Sequence, residues 1–226
     1  MSSGYLLLFD IDGTLMRCGP VIRKLFGRAL DEAGIPRDGL SSYDFAGKID
    51  PLIVRDLCVL AGWSDEEGWR AVPRVRDAWL RLLDECLGGD DIHHFPAVGE
   101  TLDRLAARSD VELGLLTGNW HRGARIKLRR AGYDHYFSFG AFGGDGRQRR
   151  DLPPVALRRA SRSYPPERVW IIGDTLHDVD CARAHGLRCL AVETGGRSAS
   201  ELRSAGAHRV VADLSVLEDR WPYVDD

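Results

Sequence analysis

The sequence predicts an α/β fold: a parallel sheet sandwiched by helices, with an all-helical block inserted into it. Three observations carry that expectation. Short apolar runs recur and end in turn residues. Segments with helix-period apolar residues lie between them, often stopping at Gly. From residue 16 to about residue 93 the apolar runs are missing and only helical patterns remain. Strands alternating with helices at this spacing build an open parallel sheet covered on both faces.

The elements follow in order. Residues 5–9 are a short apolar run that reads as a buried strand. Further strands are expected at 111–116, 136–139, 169–172, 189–192 and 209–211. Between them, 101–108, 123–131, 153–163, 178–186 and 198–205 read as helices. Inside the inserted block, 21–33, 51–61, 65–70 and 74–86 read as amphipathic helices, with Gly34, Gly62 and the pair Gly88 and Gly89 as stops. The block should hinge near residues 16–20 and 90–96. The acidic stretch 223–226 reads as a frayed end.

Length and composition narrow the function classes. The chain has 226 residues, enough for one large domain or a core with a smaller insertion. Its hydrophobic content of 44% and charged content of 29% are those of an ordinary globular protein. A net charge of −3 makes no electrostatic case for nucleic acid or for an anionic membrane. Five cysteines without a C-x-x-C pair argue against a disulfide framework or a zinc site. The first apolar run is short and broken by Asp10, which does not suit a signal peptide, and no apolar stretch is long enough to span a membrane. A cytoplasmic enzyme or binding protein, monomer or homodimer, is the expectation.

Three strand ends carry chemistry. The first run drives into Asp10, Ile11, Asp12, Gly13 and Thr14, which places two acids where a strand leaves the sheet. In parallel α/β sheets that edge is where ligands bind. Acids at i and i+2 of a continuing strand share a side, repel, and invite a metal or a shared proton. An EF-hand loop counted from Asp10 fails, because Leu15 and Val21 stand where Gly and Glu are needed. The run at 111–116 ends in Thr117, Gly118 and Asn119, whose hydroxyl and backbone amides suit an anion. The run at 169–172 ends in Gly173 and Asp174, with Asp178 four residues on. Asp178 falls in a first helical turn, where the helix dipole favours an acid. Arg149 and Arg150 precede a Pro-started helix and can balance a bound phosphate if they reach the same edge.

Taken together, the D-x-D-G-T motif at 10–14, the strand-Thr-Gly-Asn motif and the G-D-x-x-x-D motif at 173–178 resemble the haloacid dehalogenase-like hydrolase superfamily. The helical insertion after Asp12 is similar to that family's cap. Phe95, Pro96, Ala97 and Val98 resemble the re-entry to the core in its phosphoglycolate phosphatase and β-phosphoglucomutase branch.

The resemblance implies a Rossmann-like core at residues 1–16 and 94–226 and a cap at 17–93. It implies a Mg²⁺-dependent phosphatase acting on a small phosphorylated metabolite through an aspartyl-phosphate. Asp10 would be the nucleophile. Asp12 would be the general acid and base, its proton favoured by crowding against Asp10 and Asp174. Asp10, Asp174, Asp178 and the main-chain carbonyl of Asp12 would serve the metal. Thr117, Gly118 and Asn119 would hold the phosphoryl oxygens.

The family's third motif usually supplies a Lys before a Pro-rich helix start; here no Lys is present. Spacing from Pro153 favours Arg150 for that charge, with Arg149 adjacent. Lys48, in a segment resembling the family's specificity loop, would reach the substrate. Asp12 separates this chain from the dehalogenases and phosphonatases, which lack that acid. A phosphomutase keeps the same residues and is the alternative; a nonenzymatic binding protein on this fold is a further one.

Overall fold

The computed structural model describes residues 4–217 and 221–222; the acidic stretch 223–226 lies outside the described residues. The chain opens with β1 (Tyr5–Phe9) and the short β2 (Met16–Cys18), then enters the helices α1 (Val21–Glu32), α2 (Asp50–Leu60) and α3 (Asp65–Cys86). It returns through β3 (Ile92–His94), which pairs antiparallel with β2, Met16 opposite His94. The remainder alternates: α4 (Val98–Ala106), β4 (Val111–Leu116), α5 (His121–Ala131), β5 (Gly140–Ala141), α6 (Leu152–Arg159), β6 (Val169–Gly173), α7 (Leu176–Ala184), β7 (Arg188–Val192), α8 (Ala199–Ala205) and β8 (Arg209–Val211).

Among the described residues, six strands form one parallel sheet in the order β5-β4-β1-β6-β7-β8. β1 is central and wholly buried, because all five of its residues are apolar or aromatic and both faces of the sheet are covered. Its side chains alternate between faces, as a strand's period of two requires. Tyr5, Leu7 and Phe9 join a core built with α4, α5 and the inserted helices. Leu6 and Leu8 join a second core built with α6, α7 and α8. The chain runs outward from β1 through β4 to β5 and then crosses to β6 on the other side of β1, so the C-terminal end of β1 is a switch point where a crevice opens.

Three local differences from the sequence reading have physical reasons. Residues 136–139 do not form the fifth strand. Asp134–Tyr136 make a 3₁₀ turn, Phe137 stacks edge-on against Phe9 at 5.9 Å, and only Gly140–Ala141 pair with β4. Those aromatics are core anchors rather than strand residues. The expected break near residue 73 is absent: α3 runs through Pro73 as one helix of 22 residues, held by the buried face of Ala71, Val75, Trp79, Leu82 and Leu83. β2 and β3 were not legible as strands, but their ribbon lies at the two expected hinges.

Candidate active site

Register brings the three motifs together. Phe9 pairs with Leu115 on one side and Ile172 on the other. Asp10, Thr117 and Asp174 therefore emerge at one sheet edge, from three adjacent strands. Gly13 makes the turn after β1 with φ +91°, and a Cβ there would lie 2.3 Å from an Asp174 carboxylate oxygen. Only glycine lets the first and last motifs approach this closely.

Asp10 and Asp174 are each 4% exposed and Asp178 is fully buried. Carboxylate oxygens of the three lie within 4.8 Å of one another. Thr14 Oγ1 donates to Asp174 Oδ1 at 2.8 Å. Asp178 caps α7: its Oδ2 accepts from the Thr175 amide at 3.0 Å and from the Thr175 hydroxyl at 2.7 Å. Arg149 reaches in from the turn before α6. Its Nη2 stands 3.0 Å from Asp10 Oδ2 and donates to Asp178 Oδ1 at 2.6 Å. Burial pushes the Asp10 carboxyl up to about 6, against the pull of Arg149 and with the push of Asp178 and Asp12. Burial, then the nearby Asp10 and Asp178, hold Asp174 well above the ordinary carboxylate range. One arginine thus leaves the charge of three buried acids only partly balanced.

Asp12 faces elsewhere. Lys127, on α5, donates to its Oδ1 at 2.9 Å and its Oδ2 at 2.7 Å. Asn119 Nδ2 donates to Asp12 Oδ2 at 2.7 Å and to Thr117 Oγ1 at 2.9 Å, and Asn119 Oδ1 accepts from Lys127 at 2.7 Å. Lys127 is only 3% exposed. Burial disfavours its charge, yet the Asp12 carboxylate beside it holds the ammonium above its usual range. The crowding expected around Asp12 is found around Asp10 and Asp174 instead, and the Asp12 carboxylate stands outside the three-acid cluster.

These groups line a cavity of about 180 Å³. Its far wall comes from the inserted block: Ile22, Phe26, Phe45, Ile53 and Trp79, with Lys48 at the edge. Lys48 lies 4.0 Å over the Tyr43 ring and 3.7 Å from Asp56. The block is fastened to the site through Asp50. Its amide donates to the Gly118 carbonyl at 2.8 Å and its carboxylate accepts from the Trp120 amide at 2.8 Å. A Cβ on Gly118 would fall 2.0 Å from the Lys48 carbonyl oxygen, so this seam also requires glycine. Burial raises the Asp50 carboxyl to about 7, against the pull of Lys127.

Residues 6–186 match the haloacid dehalogenase-like hydrolases. The chain belongs to this family. It is 30% identical to phosphoglycolate phosphatase 1 of Pseudomonas aeruginosa over 84% of this chain and 70% of that protein. It is 26% identical to a 5′-nucleotidase of the same organism over 93% of this chain and 92% of that one. A crystal structure of a hydrolase from Pseudomonas syringae superposes with a TM-score of 0.69 at 24% identity, covering 93% of this chain and 94% of that one. Family and relatives together make this haloacid dehalogenase-like chain a phosphatase.

The structure gathers Asp10, Asp12, Thr117, Gly118, Asn119, Arg149, Asp174 and Lys48 on one cavity, with Asp178 buried against Asp10 and Asp174. Arg150 is the correction. It is exposed and pairs with Asp180 at 2.7 Å on the surface. The turn Arg149–Asp151 is 3₁₀, so adjacent arginines diverge, and Arg149 is the one directed inward. Asp178 spends its carboxylate on Thr175 and Arg149, a supporting position. Trp120 packs in the core. Lys127 and Asp50 were missed as site residues. A signal for Lys127 existed: it stands between Ala124 and Ala131 on the buried stripe of α5, where a lysine has no packing reason to be.

Proposed function

We propose that this chain is a Mg²⁺-dependent phosphatase that passes the phosphoryl group of a small phosphorylated metabolite to Asp10 and then to water. The observation that carries this reading is the convergence of Asp10, Asp174 and Asp178 beside Arg149, on a cavity that also holds Asp12 and Thr117. The donors fit the metal: hard carboxylate oxygens, buried, in excess of the one cation that touches them. Mg²⁺ bound there would neutralise charge so that a carboxylate can approach a phosphate.

The chain's own residues supply the rest. Asp10 attacks phosphorus, and its bond forms as the bond to the leaving oxygen breaks. Asp12 gives that oxygen a proton, then takes one from the water that cleaves the aspartyl-phosphate. The Thr117 hydroxyl and the Gly118 and Asn119 amides hold phosphoryl oxygens. Arg149 fixes the nucleophile and adds positive charge. Residues 17–93 act as a cap on the core formed by 1–16 and 94–226, and its apolar wall together with Lys48 selects the leaving group. The relatives' names span a two-carbon phosphate and nucleotides, so the metabolite itself is open to a screen.

The test is hydrolysis of 4-nitrophenyl phosphate by the purified protein. Activity should require Mg²⁺, vanish with chelator, and fall by about 10³-fold or more in Asp10→Asn. Equal turnover without metal, or an active Asp10→Asn protein, defeats the reading.

A further inference from the structure

A buried lysine is costly unless its charge and all its donors are matched. Lys127 has three ammonium hydrogens, and three acceptors surround it: both oxygens of Asp12 and Oδ1 of Asn119. It has no donor left for a substrate without giving up one of these. Asn119 is equally committed, with Nδ2 on Asp12 and on Thr117 and Oδ1 on Lys127. The result is a closed network that ties the ends of β1 and β4 to α5. Asp12 alone among its charged members keeps an open side: its side chain is 40% exposed and lines the cavity. A second buried cation, Arg149, clamps Asp10 and Asp178 in the same manner. Each acid of the first motif therefore has its own buried clamp.

We propose that Lys127 is a positioning residue for the leaving-group step: it holds the Asp12 carboxylate by both oxygens, turned from the three-acid cluster and presented to the leaving oxygen. This rests on Asp12 being the proton donor. Nothing in the fold of α5 asks for a cation at this place, since the neighbouring buried positions are Ala124, Ile126, Leu128 and Ala131. The protons balance within one cycle. The Asp12 carboxylate takes up a proton from solvent on its open side as substrate binds, gives it to the departing alkoxide, takes one from the attacking water and returns that one to solvent, while Lys127 keeps all three of its own.

The experiment compares kcat/KM for 4-nitrophenyl phosphate and phenyl phosphate, which share a ring but differ in how much the leaving oxygen needs a proton. kcat/KM reports the steps through departure of that group, so slow breakdown of the phosphoenzyme does not intrude. Lys127→Met should lower kcat/KM for phenyl phosphate about tenfold or more beyond its effect on 4-nitrophenyl phosphate. Asp12→Asn should show the same skew, and the double variant should match Asp12→Asn alone, because Lys127 acts through Asp12. Circular dichroism establishes that each variant is folded. If Lys127→Met is not, Lys127→Gln is read in the same way. A skew in Asp12→Asn with equal losses on both esters in the Lys127 variant overturns this inference and leaves Asp12 as donor. No skew in Asp12→Asn overturns the donor reading and this inference with it.

Discussion

Arg149 and Arg150 stand side by side in the chain and differ in almost every physical respect. Arg149 is buried between Asp10 and Asp178, so removing it strands two buried carboxylates. Arg149→Ala should cost about 3–5 kcal/mol in the metal-free protein and about 10²-fold in kcat. Arg150 and Asp180 are half exposed, and Arg150→Ala should change stability by no more than about 0.5 kcal/mol and leave kcat within twofold. Urea melts and 4-nitrophenyl phosphate kinetics on the two variants decide this. Asp10 and Asp174 were legible in the sequence as candidates because each closes an apolar run, and a strand end is a local feature. The choice of arginine was not legible. It depends on how one 3₁₀ turn is set against the sheet edge, which puts Arg149 inward and Arg150 out. Lys127 was hidden for a related reason: its acceptors are Asp12 and Asn119, and the Asp12 contact spans 115 positions of sequence.

At the scale of elements, patterns that repeat over many residues were readable and short ones were not. β1, β4, β6 and β7 were visible as apolar runs, and the helices as periodic stripes. β2 and β3 have three residues each, and their pairing is set by where the inserted helices bring the chain back. α3 shows how packing overrides a local signal. Pro73 removes one backbone donor, yet the helix continues because its apolar face is buried along its length. Its start is fixed by a capping box, in which the Ser64 side chain accepts from the Glu67 amide and Glu67 accepts from the Ser64 amide at 2.8 Å. Ser64→Ala should therefore destabilise the protein by about 1 kcal/mol. Catalysis should be unchanged, since Ser64 lies outside the cavity lining. A loss of kcat in a fully folded Ser64→Ala protein would mean that the entry to α3 reaches the site.

The whole molecule couples its stability to pH and to metal through the same acids. Asp10 carries a folded value of about 6 and Asp50 one of about 7, both above the ordinary carboxylate value of 3.8, and burial is the leading cause in each. Between about pH 4 and those values the native state holds protons that the unfolded chain has released, so stability falls as pH rises through this window. Asp10 and Asp50 should lower the melting temperature of the metal-free protein from pH 5 to pH 8, opposed by His121, His177 and His208, whose protonation burial disfavours. Asp50→Asn keeps an acceptor for the Trp120 amide but cannot ionise, so it should flatten that slope. Mg²⁺ acts in the opposite sense, because it binds ionised carboxylates and does not bind the unfolded chain as a site. At 100-fold over its Kd it should add about 2.7 kcal/mol, or about 5–10 °C in a chain of this size. That gain should be larger at pH 8 than at pH 5, where Asp10 holds its proton. Asp174→Asn should remove most of it at either pH. Melting curves at the two pH values, with and without Mg²⁺, separate the two buried groups. A Mg²⁺ shift that is the same at pH 5 and pH 8 would place the ion away from the Asp10, Asp174 and Asp178 cluster.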